Sequence, residues 1–254
     1  MLYIKFKILE HFEKLIHGVS TRMGGYSEAP YSSLNLGFHV KDNPDKVLIN
    51  REIFCSELGI ALDCIVAAKQ VHGGKVAVVK KQEWGKGSED HESAIDSCDA
   101  MITDAKNIFL MVLLADCPGI VFFDPVKKAV GVAHAGWRST LVGIAENTVL
   151  AMKTTFKSKP GDIVCAISPS IGPCCFEIKD DVAVQFNNEC VEKRDGKLFL
   201  DLRELNKIQL INSGIKQENI EISDVCTFCN TKTYFSVRKE GETGRHAVII
   251  GMKK

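Results

Sequence analysis

Ile108-Phe109-Leu110-Met111-Val112-Leu113-Leu114-Ala115-Asp116-Cys117-Pro118 is an unbroken apolar run that ends abruptly in an acid, a thiol and a proline. Apolar runs of this length with turn residues at the end suit a strand buried on both faces. A second such strand, Ala129 to Ala133, runs straight into His134-Ala135-Gly136-Trp137-Arg138. A helix is expected from there to about Phe156, with Leu141, Ile144, Ala145, Thr148 and Met152 on one side. Two buried strands therefore each deliver a metal-type or nucleophilic side chain at their C-terminal end.

Working outward, residues 3–9 read as a strand, and Met23 to Pro30 as a glycine-bearing turn region. Asn43-Pro44 opens a helix to about Leu58, because Asn caps well and Pro fits the first turn. Its face of Val47, Phe54 and Leu58 is expected inside, with Arg51 and Glu57 outside. Ile65 to Ala68 and Val76 to Val79 are short strands flanking Gln70-Val71-His72-Gly73-Gly74, and Gln82 to Ser97 is an exposed polar loop. Ile163 to Ile167 is a strand, Asp180 to Glu189 and Leu202 to Ser213 are helices, and Thr233 to Arg238 and Ala247 to Ile250 are strands. The elements follow no regular βαβ rhythm, so the expected class is α+β, as one domain over residues 1–254.

The 254 residues are enough to bury a substantial core. Lys plus Arg equals Asp plus Glu at 32 each, which gives no general pull toward nucleic acid. The run at 108–115 is far short of the roughly 20 residues that span a bilayer, and the N-terminus lacks a signal-peptide core. A cytoplasmic monomer acting on small molecules is expected, with no membrane partner. Ten cysteines in a chain without an export signal are expected to be reduced, most of them small core residues.

His72, Cys117 and His134 share a setting, each at a strand end or in a turn between strands. Two imidazoles and a thiolate suit Zn²⁺, and three protein ligands leave a fourth position for water or substrate. Plainer readings exist for each: a strand-end histidine is commonly a hydrogen-bonded structural residue, and the trio matches no short metal motif. Cys226-x-x-Cys229 has no second CxxC and no thioredoxin-like context, so it reads as coincidence. Of the adjacent Cys174-Cys175, one is expected to face the core, and His91 is expected to be solvated. His11, His17, His39 and His246 have no ligand spacing to one another. Arg22, in a glycine-bearing turn, and Arg138, at a helix start, are candidates for binding a phosphate-bearing substrate; Arg238 and Arg245 lie in the tail.

Gln70-Val71-His72-Gly73, Ala115-Asp116-Cys117-Pro118 and Ala133-His134-Ala135-Gly136-Trp137-Arg138 resemble the three signatures of the YfiH-like family. It is also called the laccase-domain or polyphenol oxidoreductase-like family and includes mammalian FAMIN. Further matches run in order, among them residues 17–25, Ser33-Leu34-Asn35-Leu36, Asn50-Arg51, residues 99–104, residues 170–177, Asp201-Leu202 and Thr243-Gly244-Arg245. Ser139 stands where the family usually has Gly.

The resemblance implies a YfiH-like (Cys-His hydrolase-like) α+β fold with mixed sheets flanked by helices. It implies one Zn²⁺ on His72, Cys117 and His134, a position that Cu²⁺ can also take. Arg22, Asn35, Arg138 and Arg245 are the substrate-binding candidates. The implied activity is phosphorolysis of adenosine, inosine or S-methyl-5'-thioadenosine to base and ribose 1-phosphate, with deamination of adenosine to inosine. Zinc would activate water for attack at C6 of adenine. Phosphate held by an arginine would attack C1′ while a histidine protonates the leaving purine. The alternatives are a Cys–His amidase editing peptidoglycan precursors, a copper-dependent polyphenol oxidase and a non-enzymatic zinc module. The oxidase needs on the order of ten histidines around four coppers, whereas the chain has seven. The zinc module would need a fourth ligand.

Overall fold

A computed structural model describes residues 1–186 and 190–254. The apolar run at 108–115 is the centre of a five-stranded sheet. Its spatial order is β1 (Tyr3–Ile4), β2 (Leu15–Ser20), β14 (His246–Met252), β6 (Phe109–Leu114) and β3 (Ile65–Ala67). A six-stranded sheet faces it, ordered β13 (Ile220–Ile222), β9 (Val164–Ile167), β7 (Gly119–Asp124), β8 (Ala129–His134), β5 (Ala100–Thr103) and β4 (Val76–Val78). A third, small sheet is ordered β10 (Glu177–Ile178), β12 (Lys197–Leu200), β11 (Val191–Arg194). Pairing is antiparallel except β3 with β6, β4 with β5 and β13 with β9. The α+β class with mixed sheets is therefore the observed one.

The period-two geometry of a strand explains why β6 is apolar on every residue. Leu110, Val112 and Leu114 point into the core between the two large sheets, where they meet Val121 and Phe123 of β7 and Val130 and Val132 of β8. Phe109, Met111 and Leu113 point the other way, into a core shared with Phe54 and Leu58 of α1 (Pro44–Leu58). Each such side chain contributes about 1.5–3 kcal/mol by leaving water, so neither face tolerates a polar residue. The outer face of the six-stranded sheet is covered in the same way by α3 (Ile144–Phe156) and α5 (Leu202–Asn212).

Asn43 caps α1 by accepting from the Asp45 amide at 2.8 Å. Arg51, expected outside the apolar face, is instead buried at 2% exposure. Its guanidinium donates to the carbonyls of Leu36, Gly87 and Ser88 and lies 4.3 Å from the Phe38 ring centroid. It therefore ties the 82–97 loop to the body of the molecule, a role that a helical wheel does not reveal.

The helix expected after Arg138 is two helices, α2 (Trp137–Leu141) and α3, because Gly143 turns the chain with φ 74°. The strand expected over residues 3–9 is only β1, followed by a 3-10 turn at Lys7–Leu9. The helix expected from Asp180 is confined to α4 (Asp180–Ala183), and the 187–189 part of that expectation lies outside the described residues. Thr233 to Arg238 is not a strand. It is a turn leading into α6 (Val237–Glu240), whose first turn Ser236 caps by accepting from the Lys239 amide.

Candidate active site

His134 is the last residue of β8 and Cys117 follows the end of β6, so two strands of different sheets deliver their ends to one place. His72 reaches the same place from the turn after β3. That turn is held by the side-chain amide of Gln70, which donates to the Leu113 carbonyl at 2.9 Å and accepts from the Leu113 amide at 2.8 Å. His72 and Asp116 both have left-handed backbones, with φ 58° and 88°. Asp116 is held there by Thr227 Oγ1 and the Arg238 amide, each donating to its carboxylate at 2.7 Å.

The donor atoms of His72, Cys117 and His134 lie within 4.8 Å of one another and could hold a metal ion. The two imidazoles are nearly perpendicular, at 80°, with centroids 4.6 Å apart. Asp99 organises both. Its carboxylate accepts the amides of Val71, His72 and Gly73 at 3.1, 2.9 and 2.7 Å and lies 2.8 Å from Nδ1 of His134. An ionised carboxylate only accepts, so Nδ1 carries a proton, and Nε2 is the nitrogen left for a ligand role when a metal is bound. Gly136 leaves the space: a Cβ there would sit 2.9 Å from His72 Cδ2 and 3.0 Å from Cys117 Sγ. The donor set and the vacant side of Gly136 both fit a small tetrahedral cation.

Burial pushes the Cys117 thiol up, but the neighbouring His134 charge and the hydrogen bonds from both histidines outweigh it and bring Cys117 down to about 6. Burial likewise lowers His134, and the Cys117 thiolate with the Asp99 carboxylate reverses this and raises it to about 9. Without a metal the pair is thiolate and imidazolium. The trio lies on the wall of a cavity of about 620 Å³, which Phe176, Arg238, Arg245, His39 and His91 also line.

A family model described as multi-copper polyphenol oxidoreductase laccase matches residues 16–253. A relative from Geobacillus stearothermophilus named purine nucleoside phosphorylase YlmD is 36% identical over 96% of this chain and 92% of its own length. Adenosine deaminase RL5, from an unknown prokaryotic organism, is 33% identical over 91% of this chain and 92% of its own length. The solved structure of Geobacillus stearothermophilus YlmD superposes with a TM-score of 0.95 at 34% identity, covering 100% of this chain and 97% of that one. The chain belongs to this family of enzymes.

Of the four substrate-binding candidates in this YfiH-like chain, the structure brings only Arg245 to the cavity. Arg22 is engaged elsewhere, with Glu240 at 2.7 Å, the carbonyls of Ser32 and Thr231, and the Phe235 ring. Arg138 is exposed over Trp137. Asn35 is buried and acts one step back, its Oδ1 accepting the Arg245 amide at 2.8 Å. Arg238, His39 and His91 line the cavity although the sequence reading gave them no site role. His91 is half-buried rather than solvated, and its ring lies 5.8 Å from that of His39. Burial, reinforced by the Arg245 charge, brings His39 down to about 4.

Cys174, Cys175, Cys226 and Cys229 are free thiols. The structure overturns the reading of Cys226 and Cys229 as coincidence. They meet Cys174 and Cys175, with all four sulfurs within 4.8 Å of one another. No single stretch of sequence carries that signal, because the two pairs lie on different loops. No helix among the described residues is long and apolar enough to cross a membrane.

Proposed function

We propose that the chain is a zinc-dependent purine nucleoside enzyme. It phosphorolyses adenosine, inosine and S-methyl-5'-thioadenosine and deaminates adenosine to inosine. The observation that carries this reading is a three-ligand zinc-type group on the wall of a cavity of about 620 Å³ that also presents two arginines. A cavity of that size falls in the range that takes small organic ligands. The names of the relatives, purine nucleoside phosphorylase and adenosine deaminase, support the substrate class.

His72, Cys117 and His134 would hold the zinc, and when bound it supplies Lewis acidity that lowers the pKa of water. Asp99 fixes the His134 tautomer and the His72 turn, so the ligands keep their orientation through turnover. Arg238 and Arg245 give phosphate a cationic wall, and Phe176 adds apolar lining beside them. In phosphorolysis the C1′–N9 bond breaks as a phosphate oxygen bonds C1′. The purine leaves with the electron pair, and His91, which lines the cavity, would protonate it. His39, held neutral, can hydrogen-bond a hydroxyl without adding charge beside the arginines. In deamination water adds at C6 and ammonia leaves.

The laccase description of the family model would require several copper sites. Among the described residues only two groups of three or more metal-type donors converge, and only the trio contains histidine. That supply of imidazoles does not support a copper relay. The test is incubation of zinc-loaded protein with adenosine, with and without phosphate, followed by chromatography. Adenine with phosphate, and inosine without it, are expected, each lost in Cys117→Ala. Products no higher than in Cys117→Ala would overturn the reading, and oxygen uptake on a phenol with several bound coppers would replace it.

A further inference from the structure

A second group of metal-type donors lies outside the trio. Cys174 and Cys175 sit between β9 and β10, and Cys226 and Cys229 sit between β13 and α6. Cys175 Sγ is 3.4 Å and Cys174 Sγ is 4.0 Å from Cys229 Sγ, and all four sulfurs lie within 4.8 Å of one another. Four thiolates around one Zn²⁺ at about 2.3 Å would be separated by about 3.8 Å along each tetrahedral edge. The observed spacings bracket that value. A disulfide would need a sulfur pair at about 2.05 Å. A cluster of two or more irons spreads its cysteines across separate metal ions, which four mutually close sulfurs do not allow.

The backbone is arranged for the same purpose. The two loops are joined by a parallel bridge between Ser170 and Cys226, with the Ser170 amide donating to Val225 and the Thr227 amide to Ser170. The Gly172 amide donates to Cys226 Sγ at 3.2 Å, as amides do toward thiolates that carry a metal. Gly172 itself is confined: a Cβ there would lie 2.8 Å from an Arg203 nitrogen and 3.4 Å from Cys174 Sγ. These contacts hold the sulfurs together independently of one another's chemistry.

We propose that Cys174, Cys175, Cys226 and Cys229 form a tetrathiolate zinc site, structural in role and separate from the His72–Cys117–His134 trio. Four protein ligands close the coordination sphere and leave no position for substrate. The ion clamps the two loops that build one wall of the cavity. The first loop supplies Ile171 and Phe176, and the second continues to Val237 and Arg238. The site thus fixes Phe176 and Arg238 relative to each other, where the Arg238 guanidinium lies 5.0 Å from the Phe176 ring centroid.

The proposal does not depend on the nucleoside reading and is tested by metal content and X-ray absorption on protein purified without added metal. Two zinc ions per wild-type chain are expected. Cys117→Ala should keep one, with a shell of four sulfurs at about 2.3 Å. Cys226→Ser combined with Cys229→Ser should also keep one, with nitrogen in its shell, and should melt at lower temperature. A zinc content that falls to none in Cys117→Ala, or a nitrogen-containing shell in that variant, would overturn the proposal, as would iron in place of zinc or a disulfide among the four thiols. If the double variant does not fold, the Cys117→Ala measurement decides alone. Loss of nucleoside activity with both ions retained would count against the proposed function and leave this site standing.

Discussion

Oδ1 of Asp99 lies 2.8 Å from Nδ1 of His134, and the same carboxylate accepts three successive amides of the turn that carries His72. One buried side chain therefore positions two of the three metal-type ligands. Cys117 depends on it indirectly, through His134. In Asp99→Asn one oxygen becomes an NH₂ group, which cannot accept and would face donors on either side. Metal affinity is expected to fall by roughly 10–100-fold, the usual cost of losing a partner behind a ligating histidine. Competition against a chromogenic chelator measures it. Unchanged affinity would mean that the trio is oriented by packing and not by Asp99.

Gly136→Ala separates crowding from folding. Gly136 has φ −59° and ψ 166°, which alanine adopts without strain. The added methyl would meet His72 at 2.9 Å and Cys117 at 3.0 Å. Metal binding is expected to drop at least tenfold, while the melting temperature of the metal-stripped protein moves by only a few degrees. Scanning fluorimetry with and without chelator reads both. A variant that binds metal as tightly as the wild type would show that the ligands rearrange freely.

The strand ends were legible because burial on both faces leaves an unmistakable apolar run, whereas the thiol and imidazoles just past such runs stood out only through their match to the family signatures. Asp99 was not legible in its role. An acid before a strand looks like a loop residue until the turn at 71–73 and His134 are seen to converge on it. The same limit hid the four cysteines and the pairing of His39 with His91, since each depends on loops brought together by the sheets. Arg51 was misjudged for a related reason: its partners are backbone carbonyls of Leu36, Gly87 and Ser88, and carbonyls carry no sequence signature. Thr233 to Arg238 has strand-like residues, but the Ser236 cap and the bond from the Arg238 amide to Asp116 favour a turn and a short helix.

Removing the metal should expose a reactive thiol. The thiolate–imidazolium pair places Cys117 at about 6, whereas burial pushes Cys55 up to about 12 and Cys98 up to about 11. In chelator-treated protein, alkylation of Cys117 by iodoacetamide should rise with pH through a midpoint near 6 and level off by neutrality. Added zinc should protect it. Peptide mapping by mass spectrometry assigns the site. A midpoint near the ordinary thiol value would contradict the pairing with His134.

The substrate-side residues divide by where their side chains point. Arg245 lines the cavity, whereas Arg22 is held by Glu240, two carbonyls and the Phe235 ring. A charge-assisted hydrogen bond is worth about 1.5–3 kcal/mol, or roughly 10–150-fold. Arg245→Ala is therefore expected to raise the KM for phosphate by that factor with metal content unchanged. Arg22→Ala is expected to lower the melting temperature and leave that KM within about twofold. The opposite pattern would return phosphate binding to the Arg22 turn.

His246 makes the fold acid-sensitive in a window that can be stated in advance. It is fully buried, neither ring nitrogen has a partner among the described residues, and the Tyr234 ring lies 5.4 Å away. Burial first, and then the Arg245 and Arg22 charges, lower it from 6.5 to about 3. The unfolded chain takes up a proton as pH falls below 6.5, and the folded chain refuses one until about 3. Stability is thus complete above 6.5 and declines as pH drops through that window, by about 1.4 kcal/mol per pH unit for one such group. His17, lowered mainly by burial to about 4, adds to the slope over the upper part of the window. His246→Phe keeps a ring against Tyr234 and removes the titration. Urea midpoints of the zinc-loaded proteins at pH 7 and pH 5 should therefore differ less in the variant than in the wild type. Equal pH dependence in the two proteins would mean that His246 is protonated inside the fold and finds a partner there.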